Sequence, residues 1–129
     1  MAKILIIEDD PKSMSFLQKV ITRMGHEAVC ADNGIDGCEQ SAACNPDIIL
    51  TDLRMPGQMS DVQLLNALRS ASPQVGIVVI SGYPSDEALQ ECKRLNIAEF
   101  LTKPFEVGFV RQVVDKLLAA KEADKTTVN

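Results

Sequence analysis

Five short apolar runs recur along the chain: Ile4 to Ile7, Ala28 to Ala31, Ile48 to Leu50, Ile77 to Ile80, and Phe100-Leu101. They are rich in Ile and Val and continuous rather than alternating, the pattern of strands buried on both faces of a parallel sheet. Longer segments with helical periodicity lie between them. Strands alternating with helices give parallel pairing through right-handed crossovers, with helices covering both faces. Five strand–helix pairs are too few to close a barrel. The predicted fold is therefore α/β, a (βα)5 chain forming an open, doubly wound parallel five-stranded sheet with helices on both faces.

The helical segments carry their own start signals. Leu17, Val20, Ile21 and Met24 form one stripe of the first helix, with Asp10 as N-cap and Pro11 in the first turn. The second helix is expected near Ile35 to Ala43, after Asn33. The third is expected from Asp61 to Ser70, with Ser60 and Gln63 in capping-box spacing. The fourth follows Ser85 and carries Ala88, Leu89, Cys92 and Leu95. The last carries Val110, Val113, Val114, Leu117 and Leu118 and is expected to reach about Ala120.

At 129 residues the chain suits one domain, 1–120, followed by a polar tail at 121–129. With 46 % hydrophobic and 24 % charged residues it can bury a core and is not disordered in bulk. A net charge of −5 gives no long-range attraction for phosphate backbones, which argues against direct nucleic-acid binding. No apolar run is long enough to span a bilayer, and the start of the chain lacks the pattern of a secretory signal, so a cytoplasmic location and no membrane partner are expected. Cys30, Cys38, Cys44 and Cys92 contain no Cys-x-x-Cys pair and read as reduced, partly buried thiols.

Ligands of open α/β sheets bind outside the carboxyl ends of the strands, so the residues after each apolar run decide the chemistry. After Ile7 come Glu8, Asp9 and Asp10; after Thr51 comes Asp52; after Ile80 comes Ser81; after Thr102 comes Lys103. The second strand ends without a strong candidate. Asp10 before Pro11 is explained by capping, but Glu8 and Asp9 exceed what a cap requires. Each of the others has an ordinary reading by itself: Asp52 as a turn acid, Ser81 as loop chemistry, Lys103 as a solvated cation. Brought to one edge, the carboxylates repel, which raises their pKa values or calls for a cation. A hard divalent ion with oxygen ligands, Mg²⁺ or Mn²⁺ in its place, resolves that conflict.

Four blocks of the sequence resemble the receiver domains of bacterial response regulators. They are Ile4-Leu5-Ile6-Ile7-Glu8-Asp9-Asp10-Pro11, Pro46 to Gly57 around Asp52, Ile77 to Tyr83 around Ser81, and Glu99-Phe100-Leu101-Thr102-Lys103-Pro104-Phe105. The resemblance runs through essentially the whole chain and implies a flavodoxin-like strand order 2-1-3-4-5. It implies Asp52 as phosphoacceptor and Asp9 as the main metal-ligand acid, with Glu8 acting through water. Asp52 and the backbone carbonyl of Arg54 would complete the metal site. Ser81 and Lys103 would contact the phosphoryl group, and Ser81 and Phe100 would form a switch. The implied donor is a histidine kinase or histidine phosphotransfer protein, docking beside Asp52 and the first helix. The implied downstream target is a protein on the face made by helix 4, strand 5 and helix 5. Such a domain is not an enzyme beyond its own aspartyl phosphorylation and slow autodephosphorylation.

The sequence departs from the usual family pattern in three places. The acidic pair is Glu8-Asp9. The loop Gly57-Gln58-Met59-Ser60-Asp61 is one residue longer than usual. Bulky Arg54 and Tyr83 flank the site, which predicts slow dephosphorylation. Two rivals on related chemistry fit less well. A dehalogenase-type phosphatase needs a second Asp where Arg54 stands, and a flavodoxin-like electron carrier would not place three acids in its phosphate loop. The remaining alternative is a receiver-like interaction domain that is never phosphorylated.

Overall fold

The computed structural model describes residues 1–53, 55, 59–82, 84–97 and 99–127, with side chains to Glu122. The elements alternate as β1 (Lys3–Ile7), α1 (Pro11–Arg23), β2 (Glu27–Ala31), α2 (Gly34–Cys44), β3 (Ile48–Asp52), α3 (Asp61–Ala71), β4 (Gly76–Ser81), α4 (Asp86–Arg94), β5 (Glu99–Thr102) and α5 (Val107–Thr127). The strands form one parallel sheet in the order β2-β1-β3-β4-β5. That is the (βα)5 doubly wound architecture expected. α5 continues past the boundary expected near Ala120, and Lys121 on this extension lies 2.6 Å from Asp47.

Side chains alternate across each strand and feed two cores. On one face Leu5, Ile7, Ile49, Ile77 and Val79 pack with Leu64, Leu65 and Leu68 of α3 and Ala88 and Cys92 of α4. On the other, Ile4, Ile6, Ile48, Leu50, Val78 and Ile80 pack with Leu17, Val20 and Ile21 of α1 and Val110 and Val114 of α5. The central strands thus bury both faces, which is why their sequences read as unbroken apolar runs. At about 1.5–3 kcal/mol per buried Leu or Ile, the two cores are the main source of stability.

Helix ends obey local chemistry. The side chains of Asp10, Asn33, Ser60 and Ser85 each accept from a backbone N–H of the first turn. Ser60 and Gln63 form a reciprocal capping box, so α3 starts at Asp61 despite the longer loop before it. Two polar groups fasten α4 against α3. Arg69 donates to the carbonyls of Leu95 and Asn96 at the end of α4 and of Ser72, Pro73 and Val75 beyond α3. One turn earlier, Asn66 and Arg94 both bond Glu91, and Arg94 also donates to Asn66.

Candidate functional site

Parallel pairing puts the carboxyl ends of β1, β3, β4 and β5 on one edge. Ile7 lies opposite Thr51, Asp52 opposite Ile80, and Ser81 opposite Thr102. The residues that close or follow these strands therefore converge. Carboxylate oxygens of Glu8, Asp9 and Asp52 all lie within 4.8 Å of one another. Lys103 Nζ is 2.8 Å from Asp52 Oδ2 and 3.3 Å from Glu8 Oε2.

Burial differs sharply among the acids. Glu8 is 1 % exposed and Asp52 5 %, whereas Asp9 is half-buried. The backbone supports this arrangement: Glu8 N–H donates to the Ala31 carbonyl, and Asp10 N–H donates to Glu8 Oε1. Asp10 itself caps α1, its carboxylate accepting from the N–H and hydroxyl of Ser13. Those bonds hold the Asp10 carboxyl below its ordinary value.

Burial pushes the Glu8 carboxyl above its ordinary pKa, and the neighbouring charge of Asp52 pushes it further. The Asp10 N–H and Lys103 offset only part of this. For Lys103, burial alone favours the neutral amine. The hydrogen bond to Asp52 and the charges of Asp52 and Glu8 outweigh that effect and raise its pKa. One ammonium thus faces three carboxylates, a charge imbalance in a low-dielectric pocket. All-oxygen donors with this imbalance suit a hard cation such as Mg²⁺, and the cluster can hold a metal ion.

Ser81 Oγ is buried and has no hydrogen-bond partner among the described residues. Buried hydroxyls are ordinarily bonded, so an orphan at the edge shared with Asp52 is a group awaiting an acceptor. The Lys103 N–H donates to the Ser81 carbonyl, tying the two loops together. The Lys103–Pro104 peptide bond is cis. Phe100 lies opposite Val79 and packs, half-buried, on the core shared with α3 and α4. Of the residues singled out from sequence, Glu8, Asp9, Asp52, Ser81 and Lys103 meet at one edge. Arg54, Tyr83 and residues 57–58 of the longer loop lie outside the described residues.

A mouth beside Lys103 was not apparent from the sequence. Lys12, Ser13, Phe16, Lys103, Pro104 and Phe105 line a pocket of about 500 Å³, with the Phe16 and Phe105 rings 5.9 Å apart.

The sequence matches the family model of the response regulator receiver domain over residues 4–115. The chain belongs to this family. As a receiver domain it is a signalling module of two-component systems. Protein PilH of Pseudomonas aeruginosa is 31 % identical over 121 residues, covering 92 % of this chain and 99 % of that protein. Sporulation initiation phosphotransferase F of Bacillus subtilis is 27 % identical, covering 92 % of this chain and 95 % of that protein. Regulatory protein AtoC of Escherichia coli is also 27 % identical over 95 % of this receiver domain, but the match spans only 26 % of that protein.

Solved structures agree on the fold. The N-terminal domain of an uncharacterized protein from Wolinella succinogenes superposes with a TM-score of 0.86 at 27 % identity, covering 96 % of this chain and 99 % of that one. Chemotaxis protein CheY4 of Vibrio cholerae gives 0.81 at 24 % identity, covering 91 % and 98 %. Among the described residues, no helix of this receiver domain is long and apolar enough to cross a membrane.

Proposed function

We propose that Asp52 accepts a phosphoryl group, in a Mg²⁺-dependent transfer from a phosphohistidine on a histidine kinase or histidine phosphotransfer protein. The observation that carries this reading is the meeting of Asp52, its 2.8 Å partner Lys103 and the unpartnered, buried Ser81 hydroxyl at one sheet edge. A carboxylate oxygen of Asp52 attacks phosphorus. The donor's N–P bond breaks as the O–P bond forms, and the imidazole leaves with its proton. Lys103 compensates charge on the transferring oxygens, and Ser81 donates to one of them once the acyl phosphate is in place.

Glu8, Asp9 and Asp52, joined by the Arg54 backbone carbonyl, are the groups that would hold the divalent ion. Its contribution is charge neutralisation of the carboxylates and the incoming phosphoryl oxygens. Glu8 and Asp9 have separate parts, Asp9 as the more accessible ligand and Glu8 as the buried acid acting through water. The acyl phosphate hydrolyses slowly, so this is a switch rather than a turnover enzyme.

The added charge draws Ser81 toward the phosphoryl group, and Phe100 repacks into the space it leaves. The surface of α4, β5 and α5 is then read by a downstream protein. The reading places the protein in the cytoplasm, in keeping with four free cysteines.

The test is intact-mass analysis after incubation with acetyl phosphate, with Mg²⁺ or with EDTA. A single phosphoryl adduct that requires Mg²⁺ supports the reading. A folded protein that takes no adduct at high donor and metal would instead be a receiver-like interaction domain.

A further inference from the structure

Thr51 is the only polar residue in the run Ile48-Ile49-Leu50-Thr51 of β3, and it is completely buried. It lies opposite Ile7 of β1 and Val79 of β4, both fully buried members of the core shared with α3 and α4. Packing alone does not call for a hydroxyl there. Valine has the same branched shape, suits a strand equally well and brings no polar atom to desolvate. The hydroxyl has a definite partner: Thr51 Oγ1 donates to the backbone carbonyl of Asp52 at 2.9 Å.

The acceptor gives that bond its significance. The Asp52 carbonyl belongs to the peptide group joining Asp52 to Leu53, the first link between the Asp52 carboxylate and the Arg54 backbone carbonyl. Leu53, on the far side of that peptide, is buried in the same core. β1 pairs with β3 only as far as Thr51, and β4 only as far as Asp52. The ladder therefore runs out where the chain leaves the strand for the site. A hydroxyl held in the core and donating to this carbonyl restrains the peptide plane at that point. Out of reach of water, neither group has a competing partner in solvent.

We infer that Thr51 is a positioning residue for the site at Asp52. Its hydroxyl fixes the Asp52–Leu53 peptide, and with it the relation between the Asp52 carboxylate and the Arg54 carbonyl. Mg²⁺ tolerates little departure from octahedral geometry, so a peptide free to tilt costs affinity even when every ligand is present. Thr51 itself touches neither the ion nor the phosphoryl group. This role rests on reading Asp52 and the Arg54 carbonyl as ligands of the ion.

The experiment compares side chains at position 51 in the full chain. Thr51→Val keeps the volume and loses the hydroxyl. Thr51→Ser and Thr51→Ala differ from each other only in the hydroxyl. Ile49→Val trims the same strand and core and shows what lost packing does alone. Each is read by the Asp52 carbonyl-carbon NMR shift without metal, by Mg²⁺ affinity from amide shifts, by the rate of phosphoryl uptake from acetyl phosphate, and by urea melts. The hydroxyl-free variants should move the Asp52 carbonyl shift, bind Mg²⁺ about three- to tenfold more weakly and take up phosphoryl groups more slowly. Thr51→Ser and Ile49→Val should keep wild-type affinity and rate despite lower stability. The role is overturned if Thr51→Val matches wild type in carbonyl shift or in Mg²⁺ affinity, if Thr51→Ser is no better than Thr51→Ala, or if affinity simply follows stability through the series. A wild type that binds no Mg²⁺ overturns it together with the ligand reading. A wild type that binds Mg²⁺ but takes no phosphoryl group overturns the phosphoacceptor reading alone, and the Mg²⁺ affinities then decide the role of Thr51.

Discussion

Lys103 Nζ stands 2.8 Å from Asp52 Oδ2 and 3.3 Å from Glu8 Oε2, bridging two buried carboxylates that are 44 residues apart in the chain. This bridge keeps the acidic edge folded before any ligand arrives. Replacing Lys103 by Met removes the ammonium that both carboxylates bond. Because the ammonium is 30 % exposed, the expected cost at pH 7 is about 1–2 kcal/mol rather than that of a fully buried pair. Urea unfolding checks this, and lowering the pH enough to protonate Glu8 should recover part of the loss. Phosphoryl uptake should fall by orders of magnitude.

Glu8 gives a prediction of opposite sign. Its pKa is raised in the fold, by burial first and by Asp52 second, above the ordinary value of 4.5. The folded state therefore binds the proton more tightly than the unfolded chain. Its stabilising contribution is complete below 4.5 and is lost as pH rises through the folded-state value. Glu8→Gln should make the metal-free protein more stable at pH 7 and flatten this part of the pH dependence in urea melts. In the same variant, Mg²⁺ should raise the melting temperature less than in wild type. A variant less stable than wild type across the whole range would show that Glu8 supports the fold by some other means.

At Gly37 the constraint is space. A Cβ there would sit 2.5 Å from Cδ1 and 2.8 Å from Cγ1 of Ile7, which is fully buried. Gly37→Ala should therefore destabilise by about 1–3 kcal/mol, despite the gain of up to about 1 kcal/mol in helix propensity. Adding Ile7→Val removes the nearest atom and should restore part of the loss. Thermal melts of the single and double variants test the contact directly.

The polar group between α3 and α4 should govern how firmly α4 is held. Hydrogen bonds from Arg94 and Asn66 lower the Glu91 carboxyl from 4.5 to about 2. Its contribution is therefore present above 4.5 and is lost as pH falls through about 2. An NMR titration should find its midpoint near that lower value. Glu91→Gln should speed amide exchange in α4 while leaving phosphoryl uptake at Asp52 intact. Arg69→Met, which removes a donor shared by five backbone carbonyls, should do the same more strongly.

The parts legible in the sequence are those set by local pattern. Unbroken runs such as Ile48 to Leu50 revealed strands buried on both faces, and Asp10, Asn33, Ser60 and Ser85 marked the helix starts now seen. The strand-end rule was enough to bring Glu8, Asp9, Asp52, Ser81 and Lys103 to one edge. What it could not supply was the division of labour among the acids. Whether Glu8 or Asp9 turns inward depends on the Asp10 N–H and on Lys103, 95 residues away from Glu8. Arg69 carries no sequence signal, because its carbonyl partners lie in loops and across α4. The mouth lined by Phe16 and Phe105 likewise forms only when distant segments pack, and periodicity carries no record of that.

Whether Asp52 is the carboxylate that carries the phosphoryl group is settled by locating that group chemically. The protein phosphorylated with acetyl phosphate and Mg²⁺ is reduced with borohydride, which converts an acyl phosphate to an alcohol, and is then mapped by peptide mass spectrometry. Homoserine should replace aspartate at position 52 alone, and Asp52→Asn should yield no modified peptide. Reduction at Asp9 or at another acid with Asp52 untouched, or an adduct undiminished in Asp52→Asn, would contradict it.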